Sequence, residues 1–428
     1  VIYSVPRRSA DLHAAGSIRY SNAMIYRAGA TIIEKALRLR ALPRGQDGLR
    51  QRLALDVALV PSAEIWVHGA SVGELTSARP VIRALARTHR ILVTANSVTG
   101  RDMAAGWGLP ARLAPLDVPG ALARFLDAVQ PRLQVTIEAE FWPLRSQALA
   151  DRGIPQAVIG ARMSQRSANR WARLPRMIGP VLRRLTALSA QDPGSEVRLR
   201  ALGLPQGAGL PRLDLKLLSP AGVVPPVPSP DRDRTVLAAS THDGEEAAVL
   251  DAWMAVRQRH PGLRLILAIR HPPRGDQVAA LLDRRGVVFE RRSAGGAGGD
   301  VLLADTMGEM DRWYAASGIC LVGGSMADRG GHTPWEPAAH CAAILHGPHV
   351  GNFADAYAAL DGAGAAQPVD AATLTGHLAR LIGDPAAARR MGQAARGVLA
   401  DRAGDPGALI DRLRQLAGSP PDPNMGNG

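Results

Sequence analysis

Short, mostly apolar segments alternate along the chain with stretches of helical periodicity. Residues 64–69, 90–95, 133–137 and 155–160 read as strands, with helical segments opening at 71 and 97 between them. After a proline-rich interval the alternation restarts. Further strands are expected at 235–239, 263–269, 287–290, 301–304 and 319–322, and helices from there to the end. Strands alternating with helices predict an α/β fold with open, mostly parallel sheets and ligands at the carboxyl ends of the strands. The expected domains are 24–221 and 234–418, joined by a Pro-rich linker, 222–233, that stays extended. Two such domains imply a cleft for small ligands, and the tail 419–428 is expected to fray.

At the other end, Ser21-Asn-Ala-Met24 looks like an expression remnant or an upstream extension, so residues 1–23 are set outside the fold. From 24 to 42, Ile25, Ala28, Ile32, Ala36 and Leu39 recur at helical spacing, with Arg27, Lys35, Arg38 and Arg40 at polar positions. This basic amphipathic helix either packs on its own domain or lies on an anionic membrane surface. No stretch reaches the roughly 20 apolar residues of a spanning helix, and no secretory signal is evident.

Composition narrows the partners. The 428 residues are 46% apolar, enough for two full cores. Aromatic residues are only 4%, too few for base-stacking platforms, so nucleic acid is not the expected partner. A net charge of +13 points to an anionic ligand or surface instead. Cys320 and Cys341 cannot build a disulfide framework, which suits a reduced, cytosolic protein.

Candidate chemistry gathers just beyond the strands. After 319–322 come Gly323, Gly324 and Ser325, then Gly330-Gly-His-Thr-Pro-Trp-Glu336, read as a glycine turn and a helix start with Thr333 as N-cap. Such a turn is an anion site, although Thr333-x-x-Glu336 is also a capping box. Glu74 follows the first strand as a potential general base, and Ser71-x-x-Glu74 is likewise a capping box. Glu138 and Glu140, at i and i+2, are expected on one face at a strand's end. Arg270 suits a phosphate, and Ser240-Thr-His-Asp-Gly and Thr306-Met-Gly-Glu309 offer amides beside it. His68, His242, His271 and His332 lack metal-ligand spacing and read as hydrogen-bonding or packing residues. No Walker loop or G-x-G-x-x-G opens the first helix.

These motifs, in order, resemble the bacterial 3-deoxy-D-manno-octulosonic acid (Kdo) transferases of lipid A assembly. They are His68-Gly-Ala-Ser-Val-Gly-Glu74, Glu138-Ala-Glu-Phe-Trp-Pro143, Ala161-Arg-Met-Ser-Gln-Arg-Ser167, Ala239-Ser-Thr-His-Asp-Gly-Glu-Glu246, Arg270-His-Pro272, Asp305-Thr-Met-Gly-Glu309, Gly323-Gly-Ser325, Glu336-Pro337 and Asn352-Phe353. The resemblance implies a GT-B-type glycosyltransferase, two Rossmann-like domains facing across a cleft. It implies inverting transfer of Kdo from CMP-Kdo to the glucosamine 6′-hydroxyl of a lipid A precursor, at the cytoplasmic face of the inner membrane. Glu74 would be the base. Arg270 would bind phosphate with Ser240 and Thr241, while Met307, Gly308 and Glu309 would line the cytidine and Glu336 would meet the ribose. Gly324, Ser325 and Asn352 complete the implied donor set. Ser71, Gly73, Glu138, Glu140, Arg162 and Arg166 would shape the acceptor or sugar pocket. No metal or other cofactor is implied. Thr333 stands where the family usually has asparagine, Asp355 where glutamate is common, and Gly209-Leu-Pro-Arg-Leu-Asp214 replaces a Gly-Asn-Leu-Lys-Phe-Asp-like run. The other readings are a GT-B transferase for a different nucleotide sugar and a non-catalytic membrane-binding relative.

Overall fold

The computed structural model describes residues 11–41, 47–56 and 60–418, and side chains from Tyr26 onward. The expected tail 419–428 and the first ten residues of the expected extension lie outside it. The chain forms two compact units. Ser219–Ala403 is one, and the described residues on either side of it make the other.

The first unit is built on a parallel seven-stranded sheet. Its strands are β1 (Ile65–Gly69), β2 (Ile91–Ala95), β3 (Ala111–Leu113), β4 (Leu133–Ile137), β5 (Gln156–Ala161), β6 (Leu185–Ala190) and β7 (Gly209–Leu210). Their order is β3-β2-β1-β4-β5-β6-β7, so the winding reverses between β1 and β4, where loops diverge and leave room for a ligand. Every residue of β1, β2 and β4 is buried, so the strands are rich in Val, Ile and Leu, and the polar side chains within them, His68, Thr94, Gln134 and Thr136, are buried too. Parallel pairing sets Val67 beside Val93 and Val135, and His68 beside Thr94.

The second unit repeats the plan with β8 (Thr235–Thr241), β9 (Arg264–Ile269), β10 (Glu290–Arg291), β11 (Val301–Ala304), β12 (Ile319–Val322), β13 (Ala343–His346) and β14 (Ala366–Pro368). The order is β10-β11-β9-β8-β12-β13-β14, and the reversal falls between β8 and β12. Both sheets are of the expected α/β, GT-B kind. The strand expected at 287–290 is displaced to Glu290–Arg291 at the sheet's edge, and Val288 is 89% exposed.

Three expectations about organisation are corrected. The boundary expected at 418 falls at Ala403/Gly404, because the helix Gly407–Ala417 is apolar on one face. Leu409, Leu413 and Ala417 join Ile65, Val67 and Leu75 in the first unit's core, and Arg414 donates to the Ala84 carbonyl at 3.0 Å. Burying each leucine contributes roughly 1.5–3 kcal/mol. The interval 222–233 is not a free spacer but part of the second unit. Arg396 donates to the carbonyls of Pro220, Ala221 and Val223, and Ser229 caps a short helix, Pro230–Asp233.

The N-terminal helix runs Asp11–Arg40, entering the stretch set aside as an extension, and its face is turned from the one expected. Among its described side chains, from Tyr26 onward, Ala30 and Glu34 are the buried ones. Glu34 accepts from Gly120 N–H and Arg124, both at 2.8 Å. That charged anchor outweighs the apolar stripe, so Ala28, Ile32, Ala36 and Leu39 face solvent beside Arg27, Lys35, Arg38 and Arg40. Among the described residues no helix is long and apolar enough to cross a membrane.

Candidate active site

Glu74 sits where β1 hands over to the helix Val72–Ala86. Ser71 is the N-cap: its hydroxyl accepts the Glu74 N–H at 3.3 Å and donates to Oε1. Oε2 accepts the Ala70 N–H at 2.7 Å. The hydroxyl half of the capping box is made, while the carboxylate reaches past the N-cap to the Ala70 N–H, and these bonds fix the carboxyl at a strand's carboxyl end. Burial, together with the charges of Glu138 and Glu140, raises its pKa above the ordinary carboxyl value. A carboxylate so raised is a better proton acceptor than a free one. Gly73 is exposed, and a Cβ there would meet only Ser71 Oγ at 3.9 Å, so packing does not demand glycine.

Glu138 and Glu140 do not share a strand face as the i, i+2 spacing suggests. β4 ends at Ile137, and Glu138 takes the left-handed conformation, φ 59°. This breaks the alternation and separates the partners. Glu138 lies 3.8 Å from Lys216 Nζ, while Glu140 accepts from Trp142 Nε1 at 2.7 Å and Asn96 Nδ2 at 3.3 Å. The neighbouring His68 ring, the Trp142 N–H and the charge of Arg145 hold Glu140 down at about 2. Non-glycine residues in this conformation are costly and cluster at functional sites.

Arg145, absent from the expected set, is fully enclosed, and burial lowers its guanidinium to about 10. It donates to the Glu140 carbonyl at 2.6 Å. Asp117 accepts the backbone N–H groups of Leu144 and Arg145 at 3.1 and 2.6 Å, capping the helix Pro143–Ala150 from another loop. Arg162 and Arg166 stand exposed past β5, with exposed Arg170, Arg173 and Arg176 after them.

In the second unit the expected donor residues divide by what they already bind. Arg270 is exposed at the end of β9, with its backbone N–H on the Thr241 carbonyl at 3.0 Å. Met307 is 67% exposed and Gly308 turns the loop at φ 84°. Glu309 is gripped by Arg292, whose nitrogens donate at 2.7–3.0 Å and draw its pKa down to about 2. Thr241 is buried and donates to Glu246 at 2.8 Å, and Arg274 holds the same carboxylate. Ser240 is left-handed, φ 57°, at a register shift in the β8–β9 pairing.

The glycine turn after β12 holds an internal anion. Buried Glu245 accepts N–H groups from His242, Gly324, Ser325, Met326 and Ala327 at 2.8–3.1 Å. The Ser325 hydroxyl is likewise turned inward, accepting from Gly347 N–H at 2.8 Å. Asn352 Nδ2 donates to the Arg329 carbonyl at 3.0 Å, bracing the same loop. The helix beyond is only five residues, Trp335–Ala339, with Pro334 rather than Thr333 as its N-cap. Glu336 accepts from the Tyr314 hydroxyl at 3.2 Å.

The histidines behave as hydrogen-bonding and packing groups. His242 and His332 meet Nε2 to Nε2 at 3.0 Å, stacked, with His271 edge-on to His242. Burial lowers the pKa of both His242 and His332. Among the described residues no group of three His, Cys, Asp or Glu is placed to hold a metal ion.

Comparison with known proteins fits this arrangement. A family model described as 3-deoxy-D-manno-octulosonic-acid transferase (kdotransferase) matches residues 47–217. A 3-deoxy-D-manno-octulosonic acid transferase of Bordetella pertussis is 35% identical over 385 residues, 83% of this chain and 88% of the relative. One from Haemophilus influenzae is 32% identical over 393 residues, 87% and 92% of the two chains. Among solved structures, a UDP-GlcNAc 2-epimerase from Neisseria meningitidis covers 82% of this chain and 98% of its own at TM-score 0.51 and 13% identity, a likeness of fold alone. By sequence across both units, the chain belongs to the Kdo transferases, glycosyltransferases of lipopolysaccharide biosynthesis.

Proposed function

We propose that the protein moves Kdo from CMP-Kdo to the glucosamine 6′-hydroxyl of a lipid A precursor, with inversion at the anomeric carbon. The observation that carries this reading is Glu74, a half-buried carboxyl of raised pKa fixed by the Ala70 N–H and the Ser71 hydroxyl in a Kdo transferase chain. It takes the proton of the attacking hydroxyl. The oxygen then bonds the anomeric carbon as the bond to the CMP phosphate breaks, and the phosphate leaves with the electron pair. Arg270, exposed at the end of β9, supplies positive charge to that phosphate, and Met307 and Gly308 offer a surface for the base. No metal is required in this scheme, so a chelator should leave the rate unchanged.

The solvent-facing Ile32, Ile33 and Leu39, set among Arg27, Lys35, Arg38 and Arg40, suit a helix resting on an anionic bilayer. That favours peripheral attachment at the cytoplasmic face of the inner membrane, where a lipid acceptor is met. The test is incubation with CMP-Kdo and a tetra-acylated lipid A precursor, read by mass, with linkage configuration by NMR. One or more added Kdo residues of inverted configuration are expected, and Glu74→Ala should cut turnover on the order of 10²-fold or more. A product of retained configuration, or unchanged turnover in Glu74→Ala, overturns the mechanism.

A further inference from the structure

Two features at the second unit's switch point attract anions, and the chain's own carboxylates already occupy both. One is the run of backbone N–H groups after β12. Ser325, Met326 and Ala327, consecutive in the chain, all donate to Glu245 Oε1 at 2.9–3.1 Å. Oε2 accepts the Gly324 and His242 N–H groups, each at 2.8 Å. Successive N–H groups converging on one point form a concavity suited to a phosphate oxygen. Here a buried side chain fills it.

The other feature is the amino end of the helix Glu245–Arg257, where the helix dipole favours negative charge. Its first turn carries Glu245 and Glu246, both buried. Glu246 accepts from Thr241 Oγ1 at 2.8 Å and from Arg274 at 2.9 Å, so its charge is committed to the interior as well.

Arg270 stands free beside them. Its backbone N–H meets the Thr241 carbonyl at 3.0 Å, and its exposed side chain has no hydrogen-bond or ion-pair partner among the described residues. One guanidinium, donating through two nitrogens, matches one phosphate. A second phosphate placed toward the glycine turn would find its amides taken and would face the Glu245 carboxylate. Like charges near a buried site repel more strongly than in water. Setting an unfavourable charge against a competitor is an effective route to specificity.

We infer that Glu245 is a specificity-determining residue, which fills the amide concavity in place of a second phosphate and restricts the donor site to nucleotides carrying one. The inference rests on the proposed function, whose donor has a single phosphate between nucleoside and sugar.

The test is calorimetric binding of CMP and CDP to the full chain, wild type and Glu245→Gln. Wild type should bind CDP about tenfold more weakly than CMP, although CDP carries more negative charge. Glu245→Gln keeps the shape of the side chain and one acceptor oxygen but removes the charge, and should shrink that preference to about threefold or less. A purely structural loss weakens both nucleotides alike and leaves their ratio unmoved. CDP bound by wild type as tightly as CMP overturns the inference, and the wild-type constants decide this even if the variant does not fold. An unchanged ratio in a folded Glu245→Gln overturns it too. Wild type that binds neither nucleotide would overturn the donor reading, and the inference with it.

Discussion

Glu245 Oε2 accepts the backbone N–H of Gly324 at 2.8 Å, joining the first turn of one helix to a loop 79 residues further along. Four more N–H groups share this carboxylate, so its removal strands several buried donors at once. Glu245→Ala should destabilise the second unit by about 3–5 kcal/mol, with Glu245→Gln milder because one acceptor oxygen survives. Denaturant unfolding measures both. A loss under about 1 kcal/mol for the alanine variant would show that the loop does not depend on this anchor.

Activity should fall on the acid side as Glu74 takes up a proton, and because its pKa is raised the fall should begin above the ordinary carboxyl range. Glu138→Gln removes one of the two neighbouring negative charges, so the acid limb of kcat/KM should move to lower pH. The shift should be partial, since burial is the larger cause. A limb that stays in place would uncouple the two residues.

Glu140 acts in the opposite sense on stability. Its folded pKa of about 2 is below the unfolded value, so its stabilising contribution is present above about 4.5 and is lost as pH falls toward 2. Wild type and Glu140→Gln, compared by thermal unfolding, should differ most near neutrality and converge through that window. A constant difference across it would assign the effect to packing instead of charge.

Ser240 and Gly323 face each other across neighbouring strand ends, and their backbones set opposite requirements. Ser240 is left-handed, so Ser240→Gly should relieve strain and stabilise by about 1 kcal/mol. A Cβ on Gly323 would lie 2.5 Å from the Ser240 carbonyl oxygen, so Gly323→Ala should be strongly destabilising, by several kcal/mol at least. Midpoints of urea unfolding for the two variants, moving in opposite directions, are the expected result.

What can be read from the sequence follows from what each element buries. β1, β2, β4, β9 and β12 are legible because burial on both faces fills each with at least three large apolar residues. β6 is less so, since Leu185 and Leu188 are its only large apolar residues, and β3 and β7 are too short to carry a period. The residues near the ends of β1, β4, β8 and β9 are equally visible, but not their partners. Nothing in local spacing says that Glu245 takes the amides after β12, or that Arg292 grips Glu309. The N-terminal helix misleads for a related reason. Its apolar stripe suggests a packed face, while one glutamate, matched by Arg124 and the Gly120 N–H, turns that stripe outward. Arg145 is invisible because its burial depends on the Glu140 carbonyl and Asp117 around it.

The return of Gly407–Ala417 to the first unit makes Ser219–Ala403 an insertion within it. During synthesis the inserted unit is finished first and can collapse on its own, whereas its host waits for Leu409 and Leu413 to emerge. A truncation near Leu218 therefore removes a piece of the host's interior, and a clean separation of the two requires excising the middle and rejoining the ends.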